Sequence, residues 1–311
     1  MIDLRRALDD YLTIRRGLGF TLERTQKLLT QFITFLEQRD TVTISVDDMV
    51  AWVRLPATRA SRGWLALRMQ AVRGFATYLH TLDPTVAVPP VGLFPDGPHR
   101  AVPYLYSDAD ITALLAAAAT LRHPLGVATY QTLIGLLAVS GLRVSEAINL
   151  DDDDFDTSQG LLAVNAGKSG RARQLPLHAT TVAALQDYQH HRDQCFPYPR
   201  TSALLVSNVG TRLIKADVNA TFLKLTRRGG LVPRSARCRP RPHDLRHTFA
   251  VNTLLDWYRD GGDVQARLPL LSAYLGHTEP ANTYWYLQAA PELLAEAAKR
   301  LDAHGSQGGI Q

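Results

Sequence analysis

Apolar residues recur at helical spacing through the first eighty positions. Leu4, Leu8, Tyr11 and Leu12 share one face. Leu22, Leu28, Leu29, Phe32, Ile33, Phe35 and Leu36 mark a longer second helix, and residues 46–53 a short third. Trp64, Leu65, Val72, Phe75, Ala76 and Leu79 mark a fourth. Basic residues, Arg62 and Arg68 among them, fall between these stripes. The pattern predicts a small four-helix bundle over residues 1–83. Residues 84–104 interrupt it with prolines at 84, 89, 90, 95, 98 and 103 and glycines at 92 and 97. Proline removes a backbone donor and fixes φ, so this stretch reads as a linker.

A second domain is expected over residues 105–311. Ser107 and Asp110 form a variant capping box ahead of a helix at 111–119. An apolar run at 127–139 predicts a buried helix, broken by Ser140-Gly141 and followed by another at 143–150. Residues 161–164 read as a strand, 167–170 as a turn and 171–177 as a returning strand. This hairpin carries Lys168 near its tip, with Arg171 and Arg173 beyond it. Further helices are expected at 180–192, 215–228, 243–257 and 269–274, with an amphipathic one at 291–301 opening on proline. The fold class is mainly α with a small β-hairpin, an α+β arrangement.

Composition narrows the picture. Of 311 residues, 46% are hydrophobic, which excludes a disordered chain. No apolar run reaches the length of a bilayer span, and the charged N-terminus does not read as a secretory signal. Cys195 and Cys238 lie far apart without metal spacing, which suits a reducing, cytoplasmic setting. The net charge is only +5, but 29 of the 34 basic residues are arginine. Arginine grips phosphate bidentately, whereas lysine acts as a point charge. Eight basic residues, including Arg239 and Arg241, fall between 224 and 246 against the single acid Asp244. A solvated basic loop and a nucleic-acid surface both fit that run.

Four segments carry candidate chemistry. His243 and Arg246 stand at i, i+3 on one helical face. The pair suits an imidazole that moves a proton beside a cation that holds an oxyanion, or simply a helix cap and an ion pair. His243 and His247 share the i, i+4 spacing of zinc-binding helices, but Asp244 is one methylene shorter than the glutamate such helices use as base. Gly167-Lys168-Ser169 lacks the earlier glycine and the following helix of a phosphate-binding loop. Arg143 and Glu146 form another i, i+3 pair, either an ordinary surface ion pair or an arginine oriented for phosphate. Tyr284 and Tyr286 flank Trp285, and a nucleophilic tyrosine needs cations beside it, because its free pKa lies near 10. The run 151–154 of four aspartates reads as a solvated turn.

Taken together and in this order, these segments resemble the tyrosine recombinases of the phage integrase family. Residues 140–147 (SGLRVSEA) match its first arginine box, residues 243–250 (HDLRHTFA) its second, and Leu275-Gly276-His277 its third. Lys168 sits in the hairpin turn where the family keeps a lysine. The family's nucleophile lies nine residues after the third-box histidine, which singles out Tyr286 over Tyr284. The resemblance implies an N-terminal helical core-binding domain and a C-terminal catalytic domain. Tyr286 is then the nucleophile, Arg143 and Arg246 hold phosphoryl oxygens, and His277 hydrogen-bonds one of them. Lys168 protonates the leaving oxygen, His243 accepts the tyrosine proton, and Glu146 supports the site. It also implies duplex DNA as partner, with Arg62, Arg68, Arg171, Arg173, Arg239 and Arg241 as candidate contacts. A homotetramer linked by the 291–301 helix and a possible accessory recombinase or DNA-bending protein follow, with no metal or other cofactor. A lapsed DNA-binding accessory protein and a type IB topoisomerase are the alternatives.

Overall fold

The computed structural model describes residues 3–39, 44–55, 62–94, 102–165, 172–277, 279, 281–289 and 293. The chain divides into two compact units, Met1–Ala101 and Val102–Gln311. Among the described residues no helix is long and apolar enough to cross a membrane.

The first unit consists of α1 (Leu4–Gly17), α2 (Glu23–Glu37), α3 (Val46–Arg54) and α4 (Arg62–Leu82). Asp3 caps α1 by accepting from the N–H groups of Arg5 and Arg6, and Ser45 forms a capping box with Asp48 at α3. The stripes converge on a core of Leu12, Leu29, Phe32, Ile33, Trp52 and Phe75. Arg68 belongs to this core. Its guanidinium carbon lies 3.6 Å from the Trp52 ring centroid, and Nη2 donates to the Trp52 carbonyl at 2.7 Å. The expected DNA contact is therefore corrected: Arg68 is in phase with Val72, Phe75 and Leu79, and packs where they do. The proline-rich stretch begins as part of this unit. Val86 is buried in the core, Phe94 packs against it, and Arg73 donates to the Pro89 and Pro90 carbonyls.

The second unit contains α5 (Asp108–Ala119), α6 (Pro124–Ser140) and α7 (Val144–Asn149). These are followed by β1 (Phe155–Asp156), β2 (Leu161–Val164) and β3 (Arg173–Pro176). The three strands form one antiparallel sheet in the order β1-β2-β3, with Val164 opposite Arg173. The helices α8 (Ala179–Cys195), α9 (Lys215–Arg228), α10 (Pro242–Arg259), α11 (Val264–Leu275) and α12 (Ala281–Ala289) complete it. One apolar cluster joins α5–α9 and the sheet, and a second joins α10, α11 and α12. Three of the four aspartates at 151–154 are braced rather than merely solvated, and Asp153 is exposed. Asp151 pairs with Arg212, Asp152 pairs with Arg192 at 2.7 Å, and Asp154 accepts from the Asp151 N–H.

Candidate active site

The glycine that ends α6 opens the site. Gly141 has φ +61°, and a Cβ there would meet the Phe249 ring at 2.5 Å. Both the left-handed turn and the close approach call for glycine. The turn delivers Arg143 to the N-cap of α7. There its backbone N–H donates to Glu146 Oε2 at 2.9 Å, and its Nη1 donates to Oε1 at 2.6 Å. The first box is thus a helix start in which the carboxylate fixes the arginine at both ends.

Helix α10 starts on Pro242 and carries His243, Arg246 and His247 on adjoining positions of one face. Arg246 is 1% exposed. Its Nη1 donates to the Gly141 carbonyl at 2.8 Å, and its Nη2 to the Leu275 carbonyl at 2.7 Å. Burial lowers its pKa to about 10, so the guanidinium stays charged at neutral pH.

The C-terminal end of α11 and Glu146 together organise three arginines. Tyr274 O accepts from Arg173 Nε at 2.6 Å, Leu275 O from Arg246, and Gly276 O from Arg143 Nη2 at 3.3 Å. A helix C-terminus offers unpaired carbonyls and partial negative charge, which favour cations there. The same three arginines surround Glu146, at 2.6 Å for Arg143, 2.9 Å for Arg173 and 3.9 Å for Arg246. Gly276, at φ +66°, lets Arg173 come in: a Cβ would stand 2.7 Å from its Nη1. Burial alone would raise the Glu146 carboxyl, but hydrogen bonds from Arg173 and Arg143 more than offset this and hold it at about 2.

That depression links stability to pH. The ordinary value for this carboxyl is 4.5. The ionised Glu146 therefore contributes stability that is fully present above pH 4.5 and is lost as pH falls towards 2. The contribution is on the order of 2–3 kcal/mol. Urea unfolding of the wild type and of Glu146→Gln between about pH 6 and pH 3 is the check. The gap between the two proteins should shrink as pH falls, and a gap independent of pH would contradict the assignment.

The histidines and the tyrosine close the site. His277 follows Gly276, and its Nδ1 is hydrogen-bonded to Thr283 Oγ1 at 2.8 Å. Tyr286, on α12, is 2% exposed. Its ring stacks on His277 with centroids 6.1 Å apart and meets His247 edge-on at 5.4 Å. Its phenol interacts with the Arg246 guanidinium. His247 also contacts His243, at 4.8 Å. Tyr284 is half exposed. The outer edge of His243 is open to solvent. Even so, the protein around its inner side, and then Arg246, Arg241, Arg143 and Lys215, lower its pKa to about 4. The imidazole is therefore neutral, and able to accept a proton, at pH 7.

Of the residues singled out by the sequence, Arg143, Glu146, His243, Arg246, His277 and Tyr286 meet in this one place. Lys168 and Arg171 lie outside the described residues, as does most of the expected 291–301 helix. Arg62 and Arg239 are exposed, and Arg241 is ion-paired with buried Asp244 at 2.7 Å. Arg173 is corrected: its side chain is buried among Glu146 and the α11 carbonyls rather than offered to DNA. Two residues that sequence reasoning did not place in the site, His247 and Thr283, touch its members. His247 stood in the sequence as a metal-like i, i+4 spacing and as part of the second-box match, with no role assigned, and Thr283 left no signal.

The chain matches the phage integrase family over residues 105–292. It is 42% identical over 308 residues to y4rB of Sinorhizobium fredii, a protein described as an integrase/recombinase, covering 97% of this chain and 98% of the relative. It is 29% identical to the tyrosine recombinase XerC of Herpetosiphon aurantiacus, covering 89% of this chain and 87% of that one. In fold it is similar to the Tn1549 transposon integrase solved with a circular intermediate DNA. There the TM-score is 0.65 and the identity 17%, over 95% of this chain and 99% of that one. It is also similar to the XerA recombinase, with a TM-score of 0.52 and 24% identity over 96% and 98%.

Proposed function

The chain belongs to the phage integrase family of tyrosine recombinases, and on that premise we propose that Tyr286 cuts and rejoins DNA strands at specific sites. The single observation that carries this reading is the convergence at one place of four separated segments. An arginine anchored on Glu146, a second anchored on the Gly141 and Leu275 carbonyls, a neutral histidine and a buried tyrosine stacked on a second histidine stand together there.

The proposed step is a transesterification. The Tyr286 oxygen attacks a DNA phosphate and loses its proton to His243. The bond from phosphorus to the 5′ oxygen breaks, Lys168 protonates that oxygen, and a 3′-phosphotyrosyl link with a free 5′-hydroxyl results. Arg143 and Arg246 hold the non-bridging oxygens as charge builds in the transition state, and His277 hydrogen-bonds one of them. Because the phosphotyrosyl bond keeps the energy of the phosphodiester, a 5′-hydroxyl from another strand can reverse the step without ATP. Arginine and lysine supply the positive charge that divalent metals supply elsewhere. Arg62, Arg239 and Arg241 are candidate contacts to the DNA backbone, which positions the duplex without reading sequence. The role proposed is integration, excision or transposition of a mobile element in the bacterial cytoplasm. The acting form is a homotetramer on two DNA sites, joined through residues 291–301.

The test uses a pool of nicked duplexes with a randomised core, incubated with the full chain in EDTA and without nucleotide. The expected result is a detergent-resistant protein–DNA adduct whose DNA, once sequenced, converges on a defined site. Binding to a discrete sequence with no adduct would support an accessory protein instead. Adducts without sequence preference would support relaxation of the topoisomerase kind.

A further inference from the structure

Arg173 is the one charged member of the cluster to which the proposed chemistry gives no task. It lies on β3, and its side chain is 8% exposed. Its Nε donates to the Tyr274 carbonyl at 2.6 Å, its Nη2 to Glu146 Oε2 at 2.9 Å and its Nη1 to Glu146 Oε1 at 3.3 Å. Every one of these partners belongs to something that holds another site residue. Glu146 fixes Arg143, and the carbonyls next along from Tyr274 fix Arg246 and Arg143. His277 follows directly on that carbonyl end. A planar guanidinium can bridge a carboxylate and a carbonyl at fixed angles, which an ammonium cannot.

We propose that Arg173 is a positioning residue for strand cleavage: it clasps the Glu146 carboxylate to the carbonyl end of α11, so that Arg143 and Arg246 present their remaining N–H groups to the phosphate in one fixed geometry. This rests on the reading that Arg143 and Arg246 bind the scissile phosphate. The clasp also ties strand β3 to the first and third boxes. Preorganised donors accelerate a reaction only while their orientation is held, and misplacement of about 1 Å costs on the order of 10²-fold. The charged groups facing Glu146 are Arg143 from the start of α7, Arg173 from β3 and Arg246 from α10. Without Arg173, the carboxyl loses the side-chain partner that lowers it most, so its pKa rises from the wild-type position.

The experiment compares the full-length wild type with Arg173→Met and Arg173→Lys on the nicked duplex recovered above. It measures DNA affinity, melting temperature and the single-turnover rate of adduct formation across pH 5 to 8 (a range taken to span roughly the physiological window). Arg173→Met should slow adduct formation by about 100-fold with DNA affinity within about threefold of wild type. Its rate should fall on the acid side, where the wild type is flat, because a protonated Glu146 releases Arg143. Arg173→Lys should remove that acid limb by restoring the charge, while recovering only part of the rate. It also serves as the folded comparison if the methionine variant does not fold. Wild-type rates in both variants would overturn the proposal. So would a loss of affinity as large as the loss of rate, which would make Arg173 a phosphate contact, or a uniform slowing with no change in pH profile. A wild type that forms no adduct at all would instead overturn the reading of Tyr286 as nucleophile, on which the proposal stands.

Discussion

Arg246→Met should lower single-turnover strand cleavage by about 10²–10³-fold, the usual loss when one transition-state donor to an oxyanion is removed. It should also destabilise the second unit. The wild-type guanidinium satisfies the Gly141 and Leu275 carbonyls, and both are left without that donor in the variant. Stranding buried acceptors costs about 1–3 kcal/mol each, so a urea midpoint clearly below that of the wild type is expected. Arg246→Lys keeps a charge but cannot span both carbonyls, and should fall between the two in rate and stability. Arg246→Met with wild-type cleavage would remove Arg246 from the phosphate site. Stability would then be its whole contribution.

Tyr286→Phe should abolish adduct formation, and Tyr284→Phe should leave it at the wild-type rate. The phenylalanine keeps the stacking on His277 and the edge contact with His247, because those involve the ring and not the hydroxyl. Its effect on folding should be limited to the lost hydroxyl contact with the Arg246 guanidinium, about 1–3 kcal/mol. The lost function is then the lost oxygen. Tyr284 is half exposed, and removing its hydroxyl disturbs none of the site contacts described above. Adduct yields that reverse this order would move the nucleophile to Tyr284 and with it the whole register of α12.

Much of this arrangement could be read from the chain because its causes are local. The glycines at 141 and 276 end helices in the left-handed region, and the capping boxes and apolar stripes are set by neighbours within a turn. What could not be read depends on distant partners. Arg68 falls in phase with the apolar stripe, but a charged side chain there is accommodated only because Trp52, sixteen residues earlier, supplies the ring and carbonyl that receive it. Arg173 looks like a DNA contact until Glu146 and Tyr274 are brought to it from other elements. Pro269 looked like the first residue of a helix, yet α11 begins at Val264. Asp263 caps that earlier start, and burial of Val264, Leu268, Leu271 and Leu275 outweighs the one backbone bond the proline omits. The aromatic run at 284–286 carries no cap or clear period, so α12 was not foreseen. Its place is fixed by Tyr286 and Leu287 packing against α10 and α11.

During cleavage Tyr286 should become joined to the 3′ side of a broken DNA strand. The most direct measurement is to trap the adduct on a nicked duplex, digest both protein and DNA, and locate the residual nucleotide by fragmentation mass spectrometry. A 3′-phosphate ester on the Tyr286 oxygen is expected, with a free 5′-hydroxyl on the released strand. A nucleotide on Tyr284, on a histidine or on any other residue, or a link through a 5′-phosphate, would contradict it.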